Sequence, residues 1–195
     1  MQELVQAIEV FALVTGVAYV VLEILQKKAM WVLGLLTGAA CAFSFAVEHV
    51  WASMVLNLYY VGMSVVGFIQ WKKAGEKVGE GEIHLATLPR RTALASIAAF
   101  VLGSLLLIHV LRLSGDQVPE LDAVSTVLGV IATWWLAQSY IQQWLLWVVA
   151  DILLAWLCLR TGQHWMALLY LVYVGSAVYG YFHWKKARKI RKLAA

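Results

Sequence analysis

Seven long apolar stretches run through the chain, near residues 5–25, 30–48, 52–71, 92–112, 121–139, 143–160 and 165–184. Each is about the length at which a helix crosses the hydrocarbon core of a bilayer, roughly 17–25 residues. A helix is the form expected there, because lipid offers no partner to an unsatisfied backbone N–H or C=O. Composition supports the same solvent. Hydrophobic residues make up 63% of the chain and charged residues 13%, against roughly 45–50% and about 25% in a soluble domain. A soluble fold of 195 residues cannot bury that much apolar surface. The expected class is an all-α membrane protein with seven transmembrane helices.

The basic residues then orient the spans. With the N-terminus outside, the inner loops and tail collect Lys27, Lys28, Lys72, Lys73, Lys77, Arg90, Arg91, Lys185, Lys186, Arg188, Lys189, Arg191 and Lys192, and the outer segments only Arg112 and Arg160. This asymmetry predicts an outside N-terminus and an inside C-terminus. It also explains the net charge of +4 as topology signals, so no nucleic-acid partner is expected. With Glu3 and Glu9 in place of a basic leader, no cleavable signal peptide is expected and the first span is retained.

A shift of 113 positions aligns the first three spans with the last three. LNLYYVGMSVVGFIQWKKA at 56–74 and LYLVYVGSAVYGYFHWKKA at 169–187 share eleven of nineteen residues. The same offset pairs Trp31 with Trp144, Gly16 with Gly129 and Glu9 with Asp122. Four helices separate equivalent positions, so the copies run parallel, a plan in which substrate binds near the midplane between repeats. The expected organisation is 3+1+3. Residues 1–74 form the first repeat, 75–117 a flexible cytoplasmic linker with helix 4, 118–187 the second repeat and 188–195 a basic tail. Helix 4 has no polar residue suited to chemistry apart from His109, and serves to return the chain. Gly34 with Gly38, and Gly62 and Gly67 with their repeat counterparts, are expected at close helix contacts.

Ionisable residues inside a span are costly and therefore functional candidates. Asp151 is the clearest, in the middle of WLLWVVADILLAW. Trp144, Trp147 and Asp151 share one helical face. Two large rings beside a carboxylate suit a flat, positively charged ligand. The competing reading is an interfacial tryptophan pair with a helix-packing aspartate, which fits Trp144 but not Asp151. Glu23, in the last turn of helix 1, is placed either to pair with Lys27 or to meet a ligand. Asn57 needs a hydrogen-bond partner, from a ligand or a neighbouring helix. Tyr170 and Tyr173 are the repeat counterparts of Asn57 and Tyr60, so a pseudo-symmetric site would use both sets. Trp134 and Gln138 share a face of helix 5, and Glu48 and His49 fall at the outer surface.

Cys41 and Cys158 both lie in apolar stretches and read as small buried hydrophobes rather than a disulfide or metal site. No motif for a catalytic zinc, a serine nucleophile or a phosphate-cradling loop is present. Neither an enzyme nor a cofactor is expected.

The run from Trp144 to Asp151 resembles the WxxWxxx(N/D) motif of the nicotinamide riboside transporter (PnuC) family, and VPELDAVSTVLGVIATWWLAQSYIQQWLLW at 118–147 is similar to its surroundings. The likeness covers nearly all of the chain. It implies a fold related to full-length SWEET sugar carriers and residence in the bacterial inner membrane. It further implies facilitated diffusion, trapping of cargo by a cytoplasmic kinase, and a homotrimer. The motif positions carried over are Trp144, Trp147 and Asp151. Asn57 falls where relatives place a glutamine, and Trp31 is the first-repeat counterpart of Trp144. Two positions depart: Thr37 stands where riboside carriers tend to have asparagine, and Leu169 where some have glutamate. Nicotinamide riboside is thus the expected cargo and thiamine the alternative, both aromatic cations that suit Asp151; neutral riboflavin suits it less. A seven-helix receptor that senses a ligand without moving it is a further alternative.

Overall fold

A computed structural model of the chain describes residues 15–47, 51–78, 84–115, 118–162 and 164–194. Glu3, Glu9, Glu48, His49, Gly79 and Gly81 lie outside the described residues. The described chain is helical: α1 (Thr15–Ile24), α2 (Ala29–Val47), α3 (Trp51–Val78), α4 (Arg90–Leu113), α5 (Pro119–Ala137), α6 (Gln143–Arg160) and α7 (His164–Ala194). Segments in α3, α4, α5, α6 and α7 are long and apolar enough to cross a membrane, and α1 and α2 add shorter apolar helices.

Two boundaries differ from expectation. Helix α3 runs on through Gly75 to Val78, and α7 continues through the basic segment after residue 187 to Ala194. The α7 extension is rich in lysine and arginine, which have high helix propensity, and the α3 extension, Gly-Glu-Lys-Val, continues the helix past its glycine.

The chain divides into two compact units, one ending at His84 and the other beginning at Leu85. In the first, α2 packs on α3; in the second, α4 packs on α5, α5 on α6 and α6 on α7. Most of α4 is bare, with Ser104 its buried residue and Leu94, Ile97, Leu102, Leu105 and Leu106 all exposed. Such a surface is stable against lipid and not against water. Its inner edge is fixed by a hydrogen bond from the Trp135 indole N–H on α5 to the Ser96 hydroxyl at 3.0 Å. Arg112 and Glu120 form an exposed ion pair across the α4–α5 connection.

The sequence repeat reappears as local geometry inside each unit. The turns that close α1 and α5 hold Gln26 and Ser139, both in the left-handed region, with φ of 49° and 58°. The Lys27 amide donates to the Leu22 carbonyl at 2.8 Å and the Gln26 amide to Glu23 at 2.9 Å; the Tyr140 amide donates to Trp135 at 3.0 Å and the Ser139 amide to Leu136 at 2.9 Å. These are the two bonds of a Schellman helix end, built twice, 113 residues apart, without the glycine that favours it.

The next helix in each unit opens on a buried tryptophan. Trp31 and Trp144 are each 1% exposed. Each meets the tryptophan near the end of the third repeat helix edge to face: Trp31 with Trp71 at 5.3 Å and 81°, Trp144 with Trp184 at 5.3 Å and 84°. Each ring lies against a glycine, Gly67 or Gly180, where a β-carbon would come within 2.4 or 2.6 Å of ring atoms. Gly34 and Gly38 are also close contacts, facing Tyr19 and Ser64, and Val61, respectively. Gly62 and Gly175 are not the packing points expected of them. Both face open space, because they lie on the exposed side of their helices.

The connection between α3 and α4 is not loose over its described part. The Gln26 side-chain amide grips the backbone of His84, donating to its carbonyl at 2.9 Å and accepting from its N–H at 2.7 Å. Within the second unit, the Ala86 amide donates to the Ser139 carbonyl at 3.1 Å. Leu88 packs beside Ile131, Trp135 and Tyr140.

Candidate functional site

Helix α6 displays the central residues. Successive residues advance about 100° around a helix, so positions 144, 147 and 151 fall on one face. Trp144 and Asp151 are buried, at 1% and 5% exposure, and Trp147 is half-buried. Asp151 lies within electrostatic reach of Tyr173 on α7. Tyr173 in turn meets Tyr170 edge to face, with ring centroids 6.2 Å apart. A carboxylate, an indole and two phenols therefore cluster where α6 and α7 pack.

The two tryptophans differ in role. Trp144 is wedged between Gly180 and Trp184, and its face is taken by protein. Trp147 is less enclosed, being half-buried. The indole N–H of each is buried without a hydrogen-bond partner. The same holds for Trp31. An unmet donor away from water costs free energy, and a ligand with hydroxyl or carbonyl oxygens would satisfy it.

In the first unit, Tyr60 on α3 meets Tyr59 at 5.6 Å and 61°, and the Ser64 hydroxyl donates to the Tyr60 carbonyl at 2.8 Å. Asn57 is half-buried on the α3 turn facing Gly38. Thr37 is exposed on α2. Glu23 is 4% exposed, whereas Lys27, one turn on, is exposed. On α5, Trp134 is 42% exposed and Gln138 half-buried. The structure thus gathers Trp147, Asp151, Tyr170 and Tyr173 in one unit, and Asn57 and Tyr60 on one helix of the other.

Sequence reasoning missed Tyr19. Its ring lies against Gly34, and it is within electrostatic reach of Glu23 and Tyr60. The signal was available: Tyr19 and Glu23 are four residues apart, the spacing of Trp147 and Asp151.

Residues 6–186 match the family model described as nicotinamide mononucleotide transporter. The chain is similar to the nicotinamide riboside transporter PnuC of Neisseria mucosa, at 33% identity over 190 residues, covering 91% of this chain and 72% of the relative. It is also similar to the nicotinamide riboside transporter PnuC of Haemophilus influenzae, at 28% identity, covering 90% and 78%. Among solved structures, it resembles a crystal structure of the vitamin B3 transporter PnuC with a TM-score of 0.69 and 31% identity, over 91% of this chain and 80% of the other.

Proposed function

Because the chain belongs to the nicotinamide mononucleotide transporter family, and is thus a multi-pass membrane transporter of a small molecule and not an enzyme, we propose that its cargo is nicotinamide riboside. Movement is by facilitated diffusion down a gradient that phosphorylation inside the cell maintains. The relatives compared above are both nicotinamide riboside transporters by name.

The observation that carries this reading is Asp151, a carboxylate 5% exposed on a membrane helix, one turn from Trp147 and beside Tyr173. Nicotinamide riboside presents a flat pyridinium cation, and its ribose and amide present acceptors. Asp151 neutralises the charge, the ring of Trp147 stacks on the pyridinium, and the indole N–H and tyrosine hydroxyls meet the oxygens. Trp144, held by Gly180 and Trp184, fixes the start of α6 and so the aim of that face. Asn57, Tyr60, Trp31 and Thr37 of the first repeat and Trp134 and Gln138 of α5 are proposed as further contacts made by the cargo in its passage. No bond is made or broken; selectivity is a difference in binding.

The same reading takes residues 1–74 and 118–187 as parallel repeats joined by α4 in a 3+1+3 order. The N-terminus is outside, the C-terminus inside, and the assembly is a homotrimer. Calorimetric titration of the purified protein with nicotinamide riboside, thiamine and riboflavin tests the cargo. Heat with nicotinamide riboside alone supports the proposal. Heat with thiamine alone makes the chain a thiamine carrier, and no heat with any of the three removes the proposal.

A further inference from the structure

Helices α3 and α7 close their repeats with the same WKKA, at 71–74 and 184–187, and then diverge. The first repeat continues as GEKVG and the second as RKIRK. At the offset of 113, Gly75 becomes Arg188, Glu76 becomes Lys189, Val78 becomes Arg191 and Gly79 becomes Lys192. The end of α3 thus carries its own acid, three and four positions after Lys73 and Lys72, the spacing at which side chains on a helix meet. Helix α7 has no Asp or Glu along its whole length, and six bases between positions 185 and 192.

Like charges three and four apart on a helix repel, yet α7 stays helical through this segment to Ala194. The apolar span of α7 ends at Ala187, which sets the bases at headgroup level. The approach to them is aromatic. Tyr179 and Phe182 are 62% and 60% exposed, and His183 stacks on Tyr179 with ring centroids 5.9 Å apart. Their counterparts in α3 are Val66, Ile69 and Gln70. Exposed aromatic rings at the end of a span settle at the boundary between membrane and water. Lys185 and Lys186 are exposed, and the Lys185 Nζ lies 5.7 Å from the centre of the Tyr181 ring. In the proposed parallel arrangement both helix ends lie on one side of the membrane, so the lysines common to both already serve as the topology signal. The added bases, and Lys189 in place of an acid, call for an anion from outside the chain.

We propose that the basic end of α7 is a docking surface for the acidic phospholipid headgroups of the surrounding leaflet. Phosphate oxygens supply there the negative charge that Glu76 supplies in α3, and the exposed rings hold the helix at the depth where headgroups lie.

The two repeat ends serve as test and control in one molecule. The full chain is placed in nanodiscs with photoactivatable phosphatidylglycerol or phosphatidylcholine of the same acyl chains, and labelled peptides are read by mass spectrometry. Peptides from residues 179–192 should be labelled about tenfold more by phosphatidylglycerol than by phosphatidylcholine, and those from 66–78 almost equally by both. The excess should shrink as salt is raised. Lys189→Glu should reduce it several-fold and Lys189→Arg should keep it.

Equal labelling of the α7 end by the two lipids contradicts the proposal, and this comparison needs only the unaltered chain. An excess that Lys189→Glu leaves untouched also contradicts it. A chain that binds single-stranded RNA through residues 185–192 and shows no preference between the lipids would make nucleic acid the partner instead.

Discussion

Gln26 and Ser139 stand 113 residues apart and share a left-handed backbone at the end of equivalent helices, each closing the same pair of hydrogen bonds. A left-handed residue with a side chain costs roughly 1–2 kcal/mol relative to glycine. Both turns keep one, and the reasons differ. Gln26 uses its side chain to hold His84. Ser139 uses its carbonyl to hold Ala86, which a glycine would do equally well.

Opposite signs follow for the same substitution at the two turns. Ser139→Gly should stabilise the protein by about 1 kcal/mol by relieving the left-handed strain. Gln26→Gly removes the same strain but also both bonds to the His84 backbone, each worth about 1 kcal/mol, and should be neutral or destabilising. Thermal unfolding in detergent compares the two, and a gain of similar size in both would break the argument.

Gly67→Ala and Gly180→Ala should each destabilise by about 1–3 kcal/mol, because the added methyl meets the ring of Trp31 or Trp144 in a packed contact. Gly62→Ala and Gly175→Ala face open space and should fold at wild-type temperatures. Melting curves of the four variants check both halves.

These glycines mark what the sequence could reveal and what it could not. The offset of 113 and the shared tryptophans announce two similar units before any coordinate is seen. Spacing alone shows that Trp144, Trp147 and Asp151 share a face. It does not show that Gly180 and Trp184 claim the ring of Trp144, since that depends on which side of α7 meets α6. Gly62 and Gly67 look alike in sequence, and only their orientation separates a slot from an open surface. The turns at 26 and 139 carry no glycine, so the usual mark of a left-handed helix end was missing. Tyr19 escaped notice because its counterpart is Ala132, so the offset of 113 brings no matching residue to it.

Topology is open to direct labelling. In a chain carrying Cys41→Ser and Cys158→Ala, a membrane-impermeant thiol reagent added outside should modify Arg160→Cys and leave Lys186→Cys untouched until the membrane is opened. The asymmetry of basic residues requires that order; the reverse order would invert the proposed orientation.

Asp151→Asn keeps the shape and hydrogen-bonding reach of the side chain and removes its charge. Affinity for nicotinamide riboside should fall about tenfold or more, while affinity for its neutral dihydro form changes little. Trp147→Leu should weaken both, because the stacking surface is lost whatever the ligand's charge. Titration of the two variants with both ligands checks the pattern, and equal losses for both ligands in Asp151→Asn would remove Asp151 from the site.

The central claim is that this chain moves an aromatic cation across a bilayer down its gradient. Proteoliposomes preloaded with unlabelled nicotinamide riboside and diluted into a trace of labelled compound measure that directly. The account predicts a transient accumulation of label above the outside concentration, present without an ion gradient and abolished in Asp151→Asn. Label that binds but never exceeds the outside concentration would mean that the chain recognises the ligand without carrying it.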